Sequence, residues 1–137
     1  MHRTTIWSVI GLLLIAATTV AGAEEKNPAE EARLAALDKG PSKIDVSKYP
    51  DEMKANYKVF TGRCGGKCHS PARAINSSFA LPEEWERYVK RMMRKPGSGV
   101  APEDGKKIFE FLKYDSSVRK KDLIEKKLKE QQEGSAK

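Results

Sequence analysis

Six consecutive residues, Cys64-Gly65-Gly66-Lys67-Cys68-His69, constrain this chain more than any other stretch. They hold both of its cysteines and one of its two histidines. Two thiols this close together, followed at once by an imidazole, suit few chemistries. One is covalent attachment of a c-type haem, in which the thiols add to the vinyl groups on one porphyrin edge. The histidine after the second cysteine then lies beneath the iron. The usual spacing has two residues between the cysteines, and here there are three. Gly65 and Gly66 give the longer loop the backbone freedom to bulge. Three other readings compete. A Cys64–Cys68 disulfide suits an oxidising compartment. A redox-active dithiol normally has two intervening residues and no use for the trailing histidine. A structural zinc site wants four ligands, more than these residues supply.

The N-terminus reads as an address. Arg3 gives a positive start, Ile6 to Val20 is mostly apolar, and Ala21-Gly22-Ala23 offers small residues ahead of Glu24-Glu25-Lys26. This order predicts a signal peptide over residues 1–23, cleaved after Ala23, and a periplasmic protein. The alternative is an uncleaved segment anchoring the chain to a membrane, for which Ile6–Ala23 is short. No cysteine stands near the cleavage point to take a lipid.

The formal net charge is +7, one less without Arg3. A basic surface attracts acidic partners and speeds their encounter. Export argues against nucleic acid as the partner. Charged residues make up 33% of the sequence, so the apolar core is thin. Small domains of this kind commonly need a disulfide, a metal or a cofactor to hold them together.

Four helices are expected. Asn27-Pro28 with Glu30 and Glu31 opens one that Gly40-Pro41 ends, within an N-terminal extension over residues 24–50. Residues 42–50 read as an extended linker. Met53, Tyr57 and Phe60 recur at helical spacing from Asp51 to Thr61. Pro82-Glu83-Glu84 opens a helix to about Lys95, stopped by Pro96-Gly97-Ser98-Gly99. Pro102-Glu103-Asp104 opens another, ending near Tyr114, with Ile108, Phe109 and Leu112 on its buried side. No alternating strand pattern occurs. The compact domain is expected over residues 51–115, and residues 116–137 as a charged tail. In that tail Leu123, Ile124 and Leu128 form a narrow apolar stripe, suited to a solvated helix or to docking on a partner.

An iron held by His69 needs a sixth ligand. His2 leaves with the signal peptide, so methionine is the natural donor. Met53, Met92 and Met93 are the candidates. Trp85, Val89 and Met92 fall at i, i+4 and i+7 on one apolar face, which favours Met92, with Met93 as the alternative. Ordinary packing is the competing role for each methionine.

From Tyr57 to Tyr114 the chain resembles the small monohaem c-type cytochromes of the class I type. The likeness rests on Tyr57 and Phe60 leading into Cys64, Cys68 and His69. It continues through Trp85-x-x-x-Val89-x-x-Met92, the break at Gly97 and Gly99, and a last helix with Ile108, Phe111 and Leu112. The resemblance implies an all-α fold of helices around a covalent haem, with helical or disordered extensions at both ends. It implies that Cys64 and Cys68 hold one haem c, and that His69 and Met92 bind its iron. Trp85 and Val89 would line the pocket, Trp85 as a wall or as a donor to a propionate. Arg73, Arg87, Arg91 and Lys95 would offset propionate charge. Tyr57 or Phe60 would meet Phe109 or Leu112 where the first and last helices pack. The expected function is one-electron transfer between redox proteins with acidic docking surfaces, without enzymatic activity. Two alternatives stand beside it: a haem subunit of a larger redox complex, membrane-bound among them, and an open-site haem sensor or enzyme.

Overall fold

The computed structural model describes residues 27–65 and 69–135. The signal-peptide region and Cys68 lie outside the described residues. The fold is all-α. Six helices are described: α1 (Pro28–Asp38), α2 (Asp51–Cys64), α3 (Ala72–Ile75), α4 (Pro82–Met93), α5 (Pro102–Arg119) and α6 (Lys121–Ser135). Among the described residues no helix is long and apolar enough to cross a membrane.

Prolines at the first turns of α1, α4 and α5 set their starts, as the sequence predicts. In α1 the Asn27 side chain accepts the Ala29 N–H at 3.0 Å. In α4 the Glu84 carboxylate turns back and accepts the N–H groups of Ala80 and Leu81, each at 2.9 Å. Gly97 and Gly99 take positive φ, 72° and 64°, in the turn between α4 and α5.

α5 is the central element, packing against α2, α4 and α6. Its buried face is Ile108, Phe111, Leu112 and Asp115, at i, i+3, i+4 and i+7. Phe111 stacks on Phe60 with ring centroids 5.5 Å apart and meets Tyr57 at 5.1 Å. The helix pair expected to pack does so, with Phe111 at the contact. Phe109, expected on the buried side, is half-buried beside Lys113. Phe109 and Phe111 are two residues apart, a rotation of about 200° on a helix, so both rings cannot point inward.

Both extensions pack against the body. Tyr49, in the stretch read as a linker, is buried against Phe111 and Tyr114, and its hydroxyl donates to Asp115 at 2.9 Å. Tyr57 holds the same stretch through its hydroxyl, which accepts the Ile44 N–H at 3.2 Å. At the other end α5 runs past Tyr114 to Arg119, and Ser116 is fully buried. The buried Asp115 carboxylate accepts from Tyr49 and pairs with Arg119, so each buried charge has a partner. α6 packs on α5 and reaches α4 through long side chains: Lys127 pairs with Glu84, and Gln131 donates to Glu83 at 3.2 Å. Leu123 and Ile124 are half-buried there, and Leu128 is 45% exposed.

Candidate cofactor pocket

A cavity of about 520 Å³ opens between α1, the end of α2, the loop carrying His69, and α4. That is within the ~300–1,000 Å³ range of small-molecule and cofactor sites. Cys64, His69 and Met92 all line it. Residues singled out from two parts of the sequence, the Cys64–His69 stretch and α4, therefore line one space.

Cys64 is the last residue of α2. Gly65 follows because a Cβ at that position would collide with the Thr61 carbonyl. The Cys64 sulfur is a free thiol, and burial pushes it up to about 11. The nearby C-terminus of α2, with its partial negative charge, also disfavours a thiolate. Neither feature suits a redox-active thiol, which needs a depressed value.

His69 is half-buried, with Nδ1 3.1 Å from the Ser70 carbonyl. The tautomer that donates there carries its lone pair on Nε2, which suits metal ligation.

The two candidate methionines of α4 diverge. Met92 lines the cavity. Met93 turns towards α5, where a Cβ built on Gly105 would meet its Sδ at 2.5 Å. Gly105 is what lets the two helices approach around that sulfur. Met53 packs against the core and is not part of the cavity lining.

Trp85 and Val89, expected in the pocket wall, are buried in the core instead. Trp85 Nε1 donates to Ser116 Oγ at 2.8 Å, so the indole is committed within the protein. The cavity face of α4 is Tyr88, Arg91 and Met92, with Lys95 just past its end. Arg87 is exposed and lies off the cavity, whereas Arg73, Arg91 and Lys95 line it as expected.

Sequence reasoning did not single out Tyr88. It is 5% exposed, and its hydroxyl has no hydrogen-bond partner among the described residues. Burial raises its pKa, so the phenol stays protonated and able to donate. Its position four residues before Met92 was the available signal. Phe79 also lines the cavity, edge-on to Trp85 at 5.6 Å. Arg33 and Arg63 bring the lining cations to five; Arg33 pairs with Glu30, Arg63 with Asp104 and Arg73 with Asp38, so the charge offered to an occupant comes chiefly from Arg91 and Lys95.

The donor set fits a haem. A sulfur ends α2 and an imidazole follows it, a thioether from α4 lines the same space, and apolar side chains contribute to the walls. Tyr88, whose hydroxyl has no partner among the described residues, and the cations of Arg91 and Lys95 suit a group that carries carboxylates. No protein-family model, curated protein or solved structure matches this chain.

Proposed function

We propose that this protein is an exported one-electron carrier with a single haem c in the cavity. The observation that carries the reading is that Cys64, His69 and Met92 line one space together with Tyr88, whose buried hydroxyl has no partner among the described residues. Cys64 and Cys68 would hold the group covalently, and His69 and Met92 would bind its iron. When bound, the group supplies reversible Fe(III)/Fe(II) exchange of one electron.

The chain's own residues then have defined tasks. The Ser70 carbonyl fixes the His69 ring. Met92, a soft thioether, favours a higher reduction potential than a second imidazole. With His69 and Met92 both bound to it, the iron would be closed to substrates. That argues for a carrier over an open-site sensor or enzyme. Arg73, Arg91 and Lys95 set the charge at the rim, where a basic surface steers acidic redox partners. Both extensions pack on the body, which favours a free carrier over a subunit with two free docking arms. The predicted signal peptide gives the periplasm as its location.

The test is an oxidised and reduced absorption spectrum of the native exported protein, with acid-acetone extraction of a separate sample as a control. Haem that resists extraction, a low-spin reduced spectrum and a methionine–iron band are expected. Haem without that band would favour the open-site alternative. Absence of haem, with Cys64 and Cys68 in a disulfide, overturns the proposal.

A further inference from the structure

Helix α1 lies outside the part of the chain that resembles a cytochrome, yet it forms a wall of the cavity. Glu30, Arg33, Leu34 and Leu37 line it, at i, i+3, i+4 and i+7. One whole face of α1 is therefore turned to the cavity, although none of its residues is fully buried. A helix with so little buried surface depends on specific contacts to stay seated.

Those contacts include a group at its C-terminal end. Asp38 takes a bidentate grip on Arg73, with Arg73 Nε donating to Oδ1 at 3.1 Å and Nη2 to Oδ2. The Asn76 amide donates to the Leu37 carbonyl at 3.2 Å and to the Pro41 carbonyl at 3.1 Å. Arg73 is also a lining residue of the cavity. A guanidinium has five N–H donors in a rigid fork, so fixing one edge on Asp38 fixes where the others point.

We propose that α1 is a latched cover on the pocket and that Asp38 is its positioning residue. Through Arg73, Asp38 both seats the cover and aims the remaining guanidinium donors at the carboxylates of the pocket's occupant. The cover rests on the cavity geometry alone. The identity of the carboxylates rests on the haem reading.

The two parts are tested separately. In the full chain carrying free thiols, iodoacetamide labelling of Cys64 is followed by peptide mass spectrometry. Asp38→Ala is expected to speed labelling about three- to tenfold, the scale of a partly buried ion pair's contribution to a local opening. Asp38→Glu is expected to recover most of the protection. Leu34→Asp, which leaves the latch intact and spoils the wall, is expected to speed labelling as well. Amide hydrogen exchange should rise in residues 28–38 and stay level in α2 and α5. Labelling at the wild-type rate in Asp38→Ala overturns the cover, and so does an exchange rise shared equally by α2 and α5. In the haem-loaded protein, Asp38→Ala should shift the midpoint potential while Asp38→Glu restores it. An unmoved potential overturns the role in aiming Arg73. Failure of the exported chain to attach haem defeats the functional reading and leaves the labelling experiment valid.

Discussion

Trp85 and Ser116 join α4 to α5 through a buried hydrogen bond, indole Nε1 to hydroxyl Oγ, 2.8 Å long. The indole is 1% exposed and the serine fully buried, so neither group could turn to water if the other were lost. Ser116→Ala leaves the indole N–H unsatisfied and is expected to cost about 1–3 kcal/mol. Trp85→Phe removes the donor and opens a small cavity, for about 2–4 kcal/mol. A double-mutant cycle by urea unfolding should return a coupling of about 1 kcal/mol. Additive losses would mean that the bond contributes nothing beyond packing.

Met92 and Met93 are neighbours in sequence with different tasks, and their alanine variants should separate them. Met92→Ala removes a cavity-lining thioether. It is expected to abolish the methionine–iron band with little change in the unfolding midpoint. Met93→Ala empties the space over Gly105 in the α4–α5 crossing. It should keep the band and lower stability by about 1–3 kcal/mol. The reverse pattern would assign the ligand to Met93.

Lys120 predicts a pH dependence. Its amine donates to the carbonyls of Ser77 and Phe79, at 2.9 and 2.8 Å, and lies 5.1 Å from the Trp85 ring centre. Burial, reinforced by Arg119 and Lys127 against Asp115 and Glu84, pushes it down to about 8. An unfolded lysine holds its proton to about pH 10.4. Between those values the unfolded chain binds the proton that the folded chain has lost, so this group's contribution makes stability rise with pH. Below about pH 8 both states are protonated and the contribution is flat. Tyr49 and Tyr88, both raised by burial, act in the opposite sense above about pH 10. Urea midpoints of wild type and Lys120→Met at pH 7.5, 8.5 and 9.5 should therefore draw apart as pH rises, with wild type gaining. Parallel curves would show that the carbonyls and the ring keep the ammonium charged.

Much of the fold was legible because its signals are local. Pro28, Pro82 and Pro102 with the acids behind them mark helix starts, and Gly97 and Gly99 mark a turn. The pocket was legible in part. Helical spacing put Met92 on the same face as Trp85 and Val89, yet Met92 equally shares a face with Tyr88 and Lys95. A residue at the seam of two faces fits both patterns, and only the position of α5 decides between them. The packed extensions were harder still. Tyr49 reaches Asp115 and Lys127 reaches Glu84 across distant parts of the chain, and no periodicity within either extension points to such partners.

Tyr88 supplies a prediction whose sign depends on what fills the cavity. In the chain without haem its hydroxyl is buried and has no partner among the described residues. Leaving such a group unpaired costs about 1–3 kcal/mol. Tyr88→Phe keeps the ring against Phe79 and Trp85 and deletes only that hydroxyl. The variant without haem is therefore expected to match or exceed wild type in stability. If the proposed haem presents a carboxylate to the phenol, the same substitution in the loaded protein should destabilise by about 1.5–3 kcal/mol, the worth of a hydrogen bond to a charged group. Urea unfolding of both variants in both states checks it. An effect of the same sign and size in the two states would mean that the hydroxyl never meets the carboxylate, and would remove Tyr88 from the pocket's binding groups.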